Sequence, residues 1–231
     1  MQIASPQLSL KLSLTPAFSW SRFYVGANAE LVSVLHHVVD TPQFVYLWGH
    51  FNVGKTHLLQ ATCQELLDHN HRAFYLSLKA LKGCGPSVLE GLDRYDCLCL
   101  DDIHEVAGDA AWETALFSLY NDIQAHGKSL VVVSQHTPDA AGFKLPDLVS
   151  RLQSGMTYYV NPIAEDKYID AIQYQAALYG FKLNTDVQHF LMTRTKRDIA
   201  HLAAIFKQLD QLSLVEQRRL TVPFLKKVLV F

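Results

Sequence analysis

One eight-residue stretch, Gly49-His50-Phe51-Asn52-Val53-Gly54-Lys55-Thr56, constrains this chain more than any other and fits the pattern G-x-x-x-x-G-K-[ST]. Each fixed position has a physical reason. Glycines let the loop turn tightly enough for backbone N–H groups to face phosphate oxygens. The lysine ammonium reaches terminal phosphates, and the Thr56 hydroxyl is a magnesium ligand. The helix that starts there adds its positive end. The mechanism needs a strand before the loop and a helix after it. FVYLW (44–48) is a short apolar run of strand composition. From Gly54 to about His69, Leu58, Leu59, Cys63, Leu66 and Leu67 recur at helical spacing. The pattern implies nucleotide phosphate binding, with Gly49, His50, Asn52, Val53, Gly54, Lys55, Thr56 and His57 as the contacting stretch.

An acidic partner follows 46 residues after Lys55, in Leu98-Cys99-Leu100-Asp101-Asp102. An acid at the end of an apolar strand is where magnesium is held in P-loop proteins, so Asp101 is the candidate ligand. Asp102 fits two roles, orienting a water or capping the next helix. Phe23, Tyr24 and Val25 precede Gly26. They fit either the flank of a nucleobase or a core anchor for the first helix. Nothing in the loop chooses a base.

Further strand candidates are AFYLS (73–77), CLCL (97–100), SLVVVS (129–134) and TYYV (157–160), with a helix over 110–126. Apolar strands alternating with helices predict a parallel sheet covered on both faces. After Asn161-Pro162 the pattern changes, and 164–179, 185–194, 197–212 and 221–230 all read as helices. The expected architecture is an α/β domain over 17–162, with five parallel strands flanked by helices, and a small all-helical domain over 163–231. Residues 1–16 alternate apolar and polar at Leu8, Leu10, Leu12 and Leu14. That period fits an edge strand or a tail that becomes extended on a partner.

Composition narrows the function. With 20 Lys+Arg against 22 Asp+Glu, a formal charge of -2 and 49% hydrophobic residues, the chain is globular and lacks the excess of a general nucleic-acid binder. The balance is uneven, at -7 over 101–193 and +5 over 194–231. Cys63, Cys84, Cys97 and Cys99 form no C-x-x-C pair and are expected as reduced thiols. His36-His37 and His69-x-His71 have no partners at zinc spacing. No apolar stretch approaches a membrane span, and no signal peptide is expected.

The two phosphate motifs, the five strands and the helical end together resemble the AAA+ ATPases. Trp20-Ser21-Arg22-Phe23-Tyr24-Val25-Gly26, the phosphate loop and Asp101-Asp102-Ile103 resemble the nucleotide-binding module of DnaA, the bacterial replication initiator, over about residues 17–231. Two features depart from DnaA. It continues into a helix-turn-helix domain, for which this chain is expected to have no room, and it lacks the short tail. Gln7-Leu8-Ser9-Leu10-Lys11-Leu12 resembles the motif by which replication proteins bind the sliding clamp, through Gln7, Leu8, Leu10 and Leu12. A clamp motif joined to such a module is similar to the DnaA-related regulatory inactivators of DnaA.

That resemblance implies ADP or ATP with Mg2+ as cofactors, and the helical part as a lid. It implies DnaA and the clamp as partners, DNA contact mainly through them, possible self-association, no membrane, and a cytoplasmic place at the nucleoid. Arg151, in Leu148-Val149-Ser150-Arg151-Leu152, matches the arginine finger, which acts on a neighbour's nucleotide; its bland alternative is a surface salt bridge. Arg197 matches the sensor 2 arginine of the lid; its alternative is a solvated helix face. Where DnaA-like proteins show a small hydroxyl residue followed by Asp, this chain has Ser134-Gln135, so at most weak ATPase activity of its own is expected. The competing expectations are a self-contained ATPase motor and an initiator that touches DNA directly.

Overall fold

The computed structural model describes residues 18–195, 199–216 and 220–228. Gln7, Leu8, Leu10, Leu12 and Arg197 lie outside them, so the tail and sensor expectations have no structural counterpart here. Five strands form one sheet: β1 (Phe44–Trp48), β2 (Ala73–Ser77), β3 (Cys97–Asp101), β4 (Ser129–Ser134) and β5 (Met156–Tyr159). All pairings are parallel, in the order β2-β3-β4-β1-β5. The expected strands recur with shifts of one residue: β3 reaches Asp101, and β5 begins at Met156 and stops before Val160.

The helices are α1 (Ala29–His36), α2 (Lys55–Asp68), α3 (Leu78–Leu81), α4 (Ala110–Ala125), α5 (Pro146–Gln153), α6 (Tyr168–Ala177), α7 (Thr185–Arg194), α8 (Ile199–Glu216) and α9 (Val222–Val228). The Asp109 carboxylate caps α4 by accepting from the N–H groups of Ala111 and Trp112. Asn184 caps α7 through the Val187 N–H, and Pro146 opens α5 at a position where a missing N–H costs nothing. The sequence pattern did not mark α3 or α5. α5 is only eight residues long and places Leu148 and Leu152 inside.

Strand alternation sends β1 side chains to two separate cores. Phe44 and Tyr46 join Leu98, Leu100, Leu130 and Val132 on the face covered by α4 and α5. Val45 and Leu47 join Cys97, Cys99, Val131 and Val133 under α1 and α2. A third core, built on Tyr168, Ile172, Leu191, Phe206 and Leu225, lies among α6–α9. Cys63, Cys97 and Cys99 are buried free thiols. Among the described residues no helix is long and apolar enough to cross a membrane.

Candidate phosphate and magnesium site

The phosphate loop leaves the C-terminal end of β1, and Asp101 ends β3 at the same edge, two strands away across β4. In open α/β sheets that edge is where ligands bind. Two left-handed backbone positions curl the loop, Asn52 at φ 60 and Gly54 at φ 96. Gly54 is the N-cap of α2, and a Cβ there would stand 3.0 Å from the Phe23 ring. Glycine is thus required twice, by the backbone angle and by the close aromatic ring.

Lys55 is buried, and its Nζ donates to the carbonyls of Gly49 at 2.8 Å and His50 at 2.6 Å. Burial pulls its pKa down, while the charges of Asp101 and Asp102 oppose the shift. The ammonium is therefore held inside the loop by its own carbonyls and faces the acidic pair. Thr56 Oγ1 donates to Asp101 Oδ2 at 2.7 Å, and Tyr75 OH donates to the same oxygen at 2.9 Å. The other carboxylate oxygen accepts from the Asp102 N–H at 3.0 Å. Asp101 is 2% exposed. Burial raises its pKa above the ordinary carboxylate value, Asp102 adds to that, and the Thr56, Tyr75 and backbone donors pull back.

Thr56 and Asp101 thus converge as two hard oxygen donors, the set that suits magnesium. Among the described residues no group of three or more His, Cys, Asp or Glu side chains converges. A magnesium ion here would complete its shell with phosphate oxygens and water, its usual habit. Tyr75 was not marked by the sequence. It faces Asp101 because parallel pairing puts β2 beside β3, and alternation puts its side chain on that face.

Asp102 adopts the left-handed conformation at φ 55 and precedes a 3-10 turn over Ile103–Val106. Its carboxylate makes no capping bond, so it holds the N-cap position without doing a cap's work. His104 follows, with its ring 5.9 Å from that of His136, and burial lowers its pKa. Ser134 is fully buried at the end of β4 and accepts from the His136 N–H at 3.1 Å. Gln135 is half-buried beside it.

The segment before α1 ties the sheet domain to α6 and the turn after it. Phe23 is 7% exposed and belongs to the core under α1 and α2, joined there by Val25. That fits the core-anchor reading, and the Phe23 ring also lies against Gly54 of the phosphate loop. Tyr24 instead meets Tyr174 edge on at 5.8 Å. His57 Nε2–H donates to the Ser19 carbonyl at 2.8 Å, with Phe18 and Phe23 rings on either side at 5.2 and 5.4 Å. Arg22 donates to Tyr179 OH at 2.8 Å, while Tyr174 OH and Gln175 Nε2 donate to the carbonyls of Ser21 and Arg22. Three residues of α6 and its following turn, Tyr174, Gln175 and Tyr179, are thereby fastened to one short segment that also packs on the phosphate loop. His50 is exposed, its ring edge-on to Tyr159 at 6.2 Å.

Arg151 stands apart from all of this. It is exposed in the last turn of α5, with its guanidinium carbon 5.8 Å from the Tyr120 ring centroid and no ion pair among the described residues. The surface salt bridge weighed from the sequence is absent there. The turn after α5 enters β5 beside Phe44, since Val45 pairs with Met156. Phe44 begins β1 and Gly49 follows its end. At about 3.3 Å per residue the strand separates Arg151's end of the sheet from the phosphate loop by roughly 16 Å.

A model of the bacterial DnaA ATPase domain matches residues 14–159, and a model described as the Hda lid domain matches residues 165–229. Among solved structures, domain III of Thermotoga maritima DnaA superposes with a TM-score of 0.76 at 22% identity, covering 94% of this chain and 98% of that one. AMPPCP-bound DnaA from Aquifex aeolicus gives a TM-score of 0.70 at 22% identity, covering 88% of this chain and 68% of that one. The Thermotoga maritima RuvB Holliday junction branch migration motor gives 0.63 at 19% identity, covering 90% and 72%. At these identities the structures show the fold.

Proposed function

The chain belongs to the bacterial DnaA ATPase-domain family of AAA+ proteins, and from that premise we propose that it switches off replication initiation by stimulating hydrolysis of ATP bound to DnaA. Residues 17–162 serve as the base and 163–231 as the lid. The single observation that carries this reading is the place of Arg151: exposed, free of ion pairs among the described residues, and at the opposite end of the sheet from its own phosphate loop. Such a group serves a neighbour's nucleotide. Its permanent charge and forked donors suit a γ-phosphate that gains charge in the transition state. A finger supplied in trans is worth about 10³–10⁵ in rate.

In its own site the chain holds an adenine nucleotide, the class for which the AMPPCP-bound DnaA relative is the precedent. Lys55 and the curled loop bind the phosphates, and Thr56 with Asp101 would hold magnesium. When bound, that ion neutralises charge on the phosphate oxygens. Asp102 orients water, and Arg197 reaches the phosphates from the lid. The Arg22, Tyr174 and Gln175 bonds fix the angle between base and lid, so that nucleotide binding sets the surface offered to DnaA. Gln7, Leu8, Leu10 and Leu12 dock on the DNA-loaded sliding clamp. That raises local concentration near replicated DNA without adding catalytic contacts.

The test is turnover of DnaA-bound ATP in the presence of clamp loaded on DNA. The wild-type chain accelerates it, and Arg151→Ala binds clamp normally yet fails to stimulate. Full stimulation by Arg151→Ala overturns the finger assignment. Changing Gln7, Leu10 and Leu12 to Ala abolishes clamp retention, and retained clamp would remove the tail from the account. Rapid ATP turnover by the isolated chain would favour a self-contained motor instead.

A further inference from the structure

An exposed arginine samples many rotamers, and ordering it costs free energy at the moment it engages a partner. Arg151 is held at both ends by one neighbour. Tyr120, on α4, is 7% exposed, and its ring is fixed by Phe44, which meets it at 5.2 Å and 84°. The Arg151 guanidinium carbon lies 5.8 Å from the centroid of that ring, within cation–π reach. At the other end, Ser154 Oγ donates to the Arg151 carbonyl at 2.7 Å, and the Ser154 N–H donates to it at 3.1 Å. A serine hydroxyl has one proton to give, so Tyr120 OH is the donor in its 3.0 Å bond with Ser154 Oγ. Tyr120 therefore touches the guanidinium through its ring and the backbone carbonyl through Ser154. The circuit closes on itself: ring to guanidinium, hydroxyl to serine, serine to carbonyl.

The geometry points to Tyr120 as a positioning residue for Arg151. It holds the guanidinium over one ring so that a partner's triphosphate meets an arginine already in place. This rests on the reading of Arg151 as a group that acts in trans. The ring face leaves the N–H donors of the guanidinium available, as an ion pair with a carboxylate would not. Tyr120 is thus a shelf that orients the cation without using up its donors.

The experiment pairs a spectroscopic readout with a kinetic one, using the whole chain. In wild type the Arg151 Nε–Hε resonance is displaced upfield by the Tyr120 ring current. Tyr120→Leu removes that displacement and lowers the maximum rate of clamp-dependent turnover of DnaA-bound ATP. The fall is about two- to fivefold, the size of an exposed cation–π contact, at an unchanged half-saturating concentration of the chain. Tyr120→Phe, which keeps the ring, restores the displacement and most of the rate. An undisplaced Arg151 resonance in wild type overturns the contact without needing any variant to fold. Wild-type stimulation by Tyr120→Leu beside an inactive Arg151→Ala overturns the positioning role alone. Full stimulation by Arg151→Ala overturns the finger reading itself, and this role with it.

Discussion

Thr56 Oγ1 donates to Asp101 Oδ2 at 2.7 Å, joining the first helical turn after the phosphate loop to the end of β3. The pair stands 45 residues apart in the chain, and the parallel sheet brings both to one edge. Asp101→Asn is expected to remove the gain in ADP or ATP affinity that magnesium confers, measured by titration calorimetry with and without the ion. Folding should also weaken by about 1–3 kcal/mol, because the amide Nδ2 of asparagine cannot accept from the donors that both carboxylate oxygens now serve. An unchanged magnesium dependence would move the metal site elsewhere.

Gly155 is required by contact. A Cβ there would overlap Phe44 Cδ1 and stand 2.6 Å from the Phe44 carbonyl oxygen. Gly155→Ala should destabilise the chain by about 2–3 kcal/mol through overpacking. For a chain of this size that lowers the melting temperature by roughly 5–10 °C. Phe44→Leu on the same background should restore part of the loss. A melt unchanged by Gly155→Ala would refute the close approach.

Glu113 holds the loop that leads into α5. It is 1% exposed, and its carboxylate accepts from the N–H groups of Gly108, Lys144 and Leu145 at 2.6–3.0 Å. Glu113→Ala leaves buried donors unpaired and should cost about 3 kcal/mol. Hydrogen exchange at the Lys144 and Leu145 amides should accelerate well beyond that of the β4 amides. Equal acceleration everywhere would mean a global loss, with no special role for this loop.

His57 makes stability depend on pH. Burial lowers its pKa from the ordinary value near 6.5, the Ser19 carbonyl opposes that shift, and Arg22 reinforces it. The unfolded chain therefore takes up a proton at a pH where the folded chain does not. The stabilisation is complete above about pH 6.5 and is lost as pH falls toward the depressed folded value. Melting temperature should drop between pH 7.5 and 5.5, and His57→Asn should flatten part of that slope. The same slope in the variant would assign the effect to other groups, His104 first.

Much of this was legible before any coordinates. The strands over 44–48, 73–77 and 129–134 match their sequence runs, because a buried strand of a parallel sheet must be apolar on both faces. The phosphate loop was legible for a similar reason: glycine, lysine and threonine at fixed spacing answer one chemical demand. α5 was not. Its two turns carry only two buried residues, Leu148 and Leu152, and these are buried by packing in the core that α4 shares.

The sequence by itself determined the order of elements, the phosphate loop and its acidic partner, since each follows from local propensity or from chemistry written within a few residues. Only the tertiary structure decided which side chains meet. Register set Tyr75 on Asp101, the fold of the segment before α1 put Phe23 in the core against Gly54, and α4 placed Tyr120 beneath Arg151. Those contacts join residues 26 to 31 positions apart. No local pattern encodes them, because the free energy that selects them arises from burying the whole sheet at once.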